Sequence, residues 1–205
     1  MKKLFFWILI LGVFLSCNTH KENKWWFLQT GDIVFQESLY PNHQIMGLLS
    51  KNSINHCGIV LEKDQRYYVI EVLNGVQKTP MDDWVLRGKN REYLALRLRE
   101  HPENKERLTI ELLKVLNHPT DSLFSWTDDA YYNAELVYKI YERAFDIQLG
   151  KFRVILTPTL PEEVQQQMGK YRYLLPPKVE FIAPIDILSD SKLELIANTF
   201  REIKY

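Results

Sequence analysis

Apolar residues along this chain come in runs of three lengths. The first is unbroken, from Leu4 to Leu15, and follows Lys2 and Lys3. About a dozen residues fall short of the roughly 20 that a membrane-crossing helix needs. A basic start, a short apolar core and small residues behind it describe a secretory leader. The second kind is short and rich in β-branched and aromatic residues. It occurs at 33–36, 55–62, 67–73 and 93–98, and each run reads as a strand. Trp25, Trp26 and Phe27 precede Thr30-Gly31-Asp32, a turn into the first strand. Lys63-Asp64-Gln65 is a tight polar link, so the second and third strands form a hairpin. The third kind has helical spacing. Leu108, Leu112, Leu113 and Leu116 share one face over 102–116. Ala134, Leu136, Val137, Ile140, Tyr141, Ala144 and Phe145 share another, on a helix that Asp129 would cap. Residues 80–87 read as a short helix with Trp84 turned inward. Residues 37–52 read as a polar loop with a small apolar patch, and 185–196 as a helical turn or two. The class is α+β, with an antiparallel sheet packed against helices.

The leader ends in Phe14-Leu15-Ser16-Cys17. A small residue before a cysteine at the end of an apolar run is the lipoprotein pattern. The expectation is a signal peptide over 1–16, lipidation of Cys17, a tether over 17–28 and one folded domain over 29–205. An acylated cysteine suits membrane attachment in a bacterial cell envelope, because each buried methylene contributes about 0.8 kcal/mol. Composition changes this picture little. The 205 residues are 46% hydrophobic and 13% aromatic, enough for a packed core. The formal net charge is zero, and loss of Lys2 and Lys3 would leave about −2. No basic stretch supports a nucleic-acid partner. With Cys17 lipidated, Cys57 has no partner for an intramolecular disulfide.

The candidate chemistry begins at Asn55-His56-Cys57-Gly58-Ile59-Val60. Side chains alternate on a strand, so His56 shares a face with Gly58 and Val60, and Cys57 points the other way. Gly58 leaves room beside the imidazole. Glu71 lies across the hairpin within Tyr68-Val69-Ile70-Glu71-Val72. A carboxylate there is costly unless it is paired, and an imidazole N–H would pair it and fix the ring's tautomer. A purely structural buried His–Glu pair fits the same spacing. His43 and His118 stand in polar contexts near prolines and read as exposed. Ser53 and Ser125 read as turn and loop residues, and Asp128-Asp129 as helix capping. No His, Cys, Asp or Glu set has metal-ligand spacing, so neither a metal nor a cofactor is expected.

Five segments in order carry a family resemblance: Gly31 to Gln36, Asn55 to Val60, Val69 to Glu71, Thr79 to Trp84, and Tyr131 to Val137. Over residues 29–190 the chain resembles the YiiX/YebB-like group, circularly permuted papain-like (NlpC-type) hydrolases related to the lecithin:retinol acyltransferase family. The resemblance implies that fold, with His56 as general-base equivalent, Glu71 orienting it, and a nucleophilic cysteine later, at a helix N-terminus. It also implies a cleft for a small amide, acyl or peptide-like ligand, with Asp32, Gln36 and Tyr132 among the contacts. At the cysteine's position, in Tyr132-Asn133-Ala134-Glu135-Leu136-Val137, stands Asn133.

A helix N-terminus and an imidazole turn a thiol into a thiolate. A carboxamide has no comparable nucleophile. Three readings stay open: a nucleophile-lacking member that binds a ligand, an amidase- or peptidase-like hydrolase acting on amide or ester bonds, and a structural or interaction lipoprotein. In the first, the helix end would favour an anionic ligand group, and Trp84, Trp126, Tyr131 and Tyr132 would line the walls. All three put His56 within hydrogen-bond reach of Glu71 and within about 8 Å of Asn133.

Overall fold

In the computed structural model, residues 24–100 and 105–201 are described. Cys17, its leader and the start of the tether lie outside them. Six strands form one antiparallel sheet in the order β4-β3-β2-β1-β5-β8. They are β1 (Ile33–Gln36), β2 (His56–Lys63), β3 (Arg66–Val72), β4 (Val76–Pro80), β5 (Leu94–Leu98) and β8 (Leu193–Asn198). A second, two-stranded sheet pairs β6 (Arg153–Leu156) with β7 (Lys178–Phe181). The helices are α1 (Pro41–Ser50), α2 (Met81–Leu86), α3 (Lys105–Lys114), α4 (Asn133–Phe145), α5 (Glu162–Met168) and α6 (Pro184–Leu188).

Strand alternation sorts the core into two layers. Ile33, Phe35, Cys57, Ile59, Ile70 and Val72 face α3 and α4, where Leu108, Leu112, Leu136, Val137 and Ile140 meet them. Val34, Val60 and Val69 face the other way, toward Met81 and Trp84 of α2. Both sheet faces are therefore covered, which is why β1 and the first six residues of β2 are buried throughout. Trp25 and Phe27 pack on the second layer, and Leu28 is buried in it. Packed residues thus lie inside the stretch expected to be tether.

Several stretches differ from expectation. Residues 41–50 are a helix, opened by a proline at its first position. The tail gives one helical turn, α6, and then a strand, β8, which pairs with β5. The long helix begins at Asn133 rather than after Asp129. Asp128 instead sits in the preceding loop, 3.2 Å from Lys139 Nζ and paired with Arg143.

Candidate functional site

β2 and β3 bring the first two residues together. Ile59 pairs with Ile70, so Gly58 lies opposite Glu71 and His56 is diagonal to it, on the same face. A Cβ on Gly58 would stand 2.5 Å from Val69 Cγ1 and 2.8 Å from the Ile70 carbonyl. The room at Gly58 is thus filled by β3 itself, and this close approach lets Glu71 reach the ring. His56 Nε2 lies 2.7 Å from Glu71 Oε2. The other carboxylate oxygen accepts from the Thr79 hydroxyl and the Arg87 guanidinium.

Glu71 is fully buried. Burial alone would push its carboxyl up. The His56 hydrogen bond, the Arg87 charge and the Thr79 hydrogen bond outweigh it and hold the carboxyl at about 2.

α4 supplies the third residue. His56 opens β2 at the sheet's end, where the α4 N-terminus meets it. Asn133 Nδ2 donates to the Asn55 carbonyl at 3.2 Å and to His56 Nδ1 at 3.1 Å. Its Oδ1 accepts from the Ala134 N–H at 2.7 Å. Nδ1 is therefore the ring's acceptor, and the hydrogen sits on Nε2, facing Glu71. One N–H of the helix end is taken by Asn133 itself, which weakens the expected attraction for an anion. Glu135 accepts from the Tyr132 N–H at 3.2 Å, which secures the turn that presents Asn133.

His43, expected to be exposed, is buried at the centre of the site. Its ring stacks on His56 with centroids 3.8 Å apart and planes 8° apart. Nδ1 lies 2.8 Å from Ser38 Oγ and Nε2 lies 3.1 Å from the Val72 carbonyl. Burial lowers its pKa to about 2, so the His43 ring is neutral. No pattern in residues 37–52 marked this role, because α1 turns polar as well as apolar side chains inward: His43, Met46 and Ser50.

The other candidates separate. Tyr132 and Asn133 line a cleft of about 310 Å³ together with His43, Met46, Phe124 and Met168. Gln36 pairs in register with His56 but is fully buried beneath Gly88, and neither carboxamide atom finds a partner among the described residues. Asp32 is not brought to the site. It sits four residues away along β1, bound by Arg97 Nε at 2.6 Å and by a second guanidinium nitrogen at 2.8 Å. Trp84 lies on the same side of the sheet as His56, with ring centroids 6.0 Å apart, but it is not among the residues that line the cleft. Cys57 faces the first layer, fully buried, and its thiol pKa is pushed up by burial. Ser53 and Ser125 are exposed turn and loop residues.

An imidazole, a buried carboxylate and a helix N-terminus that meet at one point, with the imidazole on a strand that precedes the helix in the chain, form the layout of a permuted papain-like domain. The chain belongs to the permuted papain-like amidase family, YaeF/YiiX, C92, which it matches over residues 27–197. It is similar to the uncharacterized protein YiiX of Escherichia coli K12, with 26% identity over 197 residues, 93% of this chain and 94% of that protein. The crystal structure of YiiX from Escherichia coli O157:H7, described as a metalloprotein, matches at a TM-score of 0.76 and 27% identity. That match covers 85% of this chain and 99% of the crystallised one.

Proposed function

We propose that this chain is a nucleophile-lacking member of its family, an envelope lipoprotein tethered through Cys17. In this reading its cleft binds an amide, acyl or peptide-like group without cleaving it. The observation that carries the reading is the contact between the Asn133 carboxamide and His56 Nδ1. That nitrogen is where a thiol at the helix end would deliver its proton. A carboxamide in its place occupies the base and offers no electron pair able to attack a carbonyl carbon.

Hydrolysis by an activated water has less support. Both nitrogens of His56 are engaged, and both nitrogens of His43 are too. The same saturation bears on metal binding. Among the described residues, no three His, Cys, Asp or Glu side chains converge as a metal site. The donor set does not fit a metal.

The test is hydrolysis of aryl esters and acyl-lysine amides by the full chain, by Asn133→Cys and by Asn133→Cys/His56→Ala. Turnover by Asn133→Cys alone supports a cleft silenced at one position. Turnover by the unaltered chain overturns the reading in favour of an active amidase-like hydrolase. Silence in all three favours a structural or interaction role.

A further inference from the structure

The cleft beside Asn133, at about 310 Å³, holds a group of about ten non-hydrogen atoms at about 30 Å³ each. Its walls are half apolar in character, with Met46, Val72, Phe124 and Met168 among them. No lysine or arginine is among the described residues that line it, and Asp121 is the one carboxylate. Asp121 is buried and fixed. Its oxygens accept from the Leu123 N–H at 2.8 Å, the Ser125 N–H at 2.6 Å and the Ser125 hydroxyl at 3.1 Å. These donors are neutral, so they orient the carboxylate without supplying a countercharge.

Nearby cations are engaged elsewhere. Lys139 Nζ lies 2.7 Å from Glu135 Oε1 and 3.2 Å from Asp128 Oδ1. Lys170 lies over the half-exposed ring of Tyr171 at the rim, 5.7 Å from its centroid. The Asn133 carboxamide meets the cleft as an acceptor: both of its amino hydrogens are spent on the Asn55 carbonyl and His56 Nδ1, and its oxygen keeps a second lone pair besides the one that takes the Ala134 N–H.

We propose that this cleft selects a short apolar group ended by an N–H donor, either a primary amide or an alkylammonium, and rejects a carboxylate of the same shape. The inference rests on the ligand-binding reading above and adds selection by charge. A carboxylate would bring a second negative charge beside Asp121, with no lysine or arginine among the described lining residues to offset it.

The experiment uses the full chain with methyl-labelled methionine and three probes of similar length: hexanamide, hexylammonium and hexanoate. Met46 and Met168 line the cleft, and Met81 lies in the opposite layer as an internal control. The expected result is that hexanamide or hexylammonium shifts Met46 and Met168 but not Met81, with hexanoate at least about tenfold weaker. Which of the two binds more tightly separates hydrogen bonding from charge. Equal or tighter binding of hexanoate overturns the selection while leaving the cleft a ligand site. No shift with any probe overturns the selection and the ligand-binding reading together. Asp121→Asn should narrow the preference for hexylammonium over hexanoate. Should its loop fail to fold, Met46→Trp, which fills the cleft, should abolish binding of all three probes.

Discussion

The Asn133 carboxamide bridges the Asn55 carbonyl and His56 Nδ1, at 3.2 and 3.1 Å. One side chain thereby joins the first residue of α4 to the first residue of β2, 77 positions earlier in the chain. The contact closes a line of hydrogen bonds that runs from the helix end through the imidazole to Glu71 and Arg87.

A thiol placed at residue 133 inherits that setting. In Asn133→Cys, the helix N-terminus and the imidazole should lower the new thiol's pKa below the usual value of about 8.5. Alkylation rates measured against pH should therefore stay high below pH 8. Cys57, fully buried, should stay unmodified in the folded protein. A new thiol that titrates at or above 8.5 would mean that His56 does not serve it.

Acid should destabilise this fold in two steps. His43 has a folded pKa of about 2 against 6.5 for the free side chain. The unfolded chain therefore takes up that proton first, and stability is lost as pH falls below about 6.5. Glu71 is also depressed, from 4.5 to about 2. Its contribution is complete above about 4.5 and is lost between there and about 2. Each group adds up to about 1.4 kcal/mol per pH unit within its window. Burial raises the Glu135 carboxyl to about 7, so that group gains stability as pH falls toward 4.5 and opposes the His43 loss. Urea unfolding at a series of pH values should therefore show the unaltered chain losing stability relative to His43→Phe from about 6.5 downward.

Glu71→Gln removes the charge that Arg87 and His56 share. Breaking a buried pair from one side costs about 3–5 kcal/mol. Chemical denaturation at pH 7 should show a loss of that order, and the variant should lack the lower acid window. A change under 1 kcal/mol would mean that the carboxylate's partners are satisfied in other ways.

Gly58→Ala tests the strand contact that brings Glu71 to the ring. The added methyl meets Val69 and the Ile70 carbonyl of the neighbouring strand, not the tip of a flexible side chain. Overpacking of this kind costs about 1–3 kcal/mol. Thermal unfolding should show the drop, and a crystal structure should show β3 displaced from β2 with the His56–Glu71 distance lengthened beyond 2.7 Å.

Arg97→Met probes the ion pair that took Asp32 away from the site. It leaves a fully buried carboxylate without its countercharge, so stability should fall by about 3–5 kcal/mol. Probe binding in the cleft, scored by Met46 and Met168, should keep its affinity for whatever fraction stays folded.

β2 and β3 are buried on both faces and were legible as short β-branched and aromatic runs joined by a tight polar turn, whose pairing brings His56 and Glu71 onto one side of the hairpin. α4 carries seven apolar residues at helical spacing, and its extent to Phe145 was legible for that reason. α1 was not legible, because its inward face carries His43 and Ser50 beside Met46. Its polar residues are buried in a hydrogen-bonded network, which hydrophobic periodicity does not register. β6 and β7 escaped because 21 residues separate them and their exposed faces still carry Val154 and Leu156. Asp32 was misassigned for a related reason. An acidic residue at the start of a strand looks the same whether it meets a ligand or an arginine 65 positions away.

β8 has a consequence for how the chain is made. It is the last strand along the described residues, and it pairs with β5, whose other side is held by β1. A chain that stops before Leu193 would hold His56, Glu71 and Asn133 complete while leaving the Leu94–Leu98 strand open along one side. Its unpaired backbone groups and its leucines would offer a template for another copy. Truncation at this end should therefore be seen first as aggregation during synthesis, ahead of any defect in the cleft.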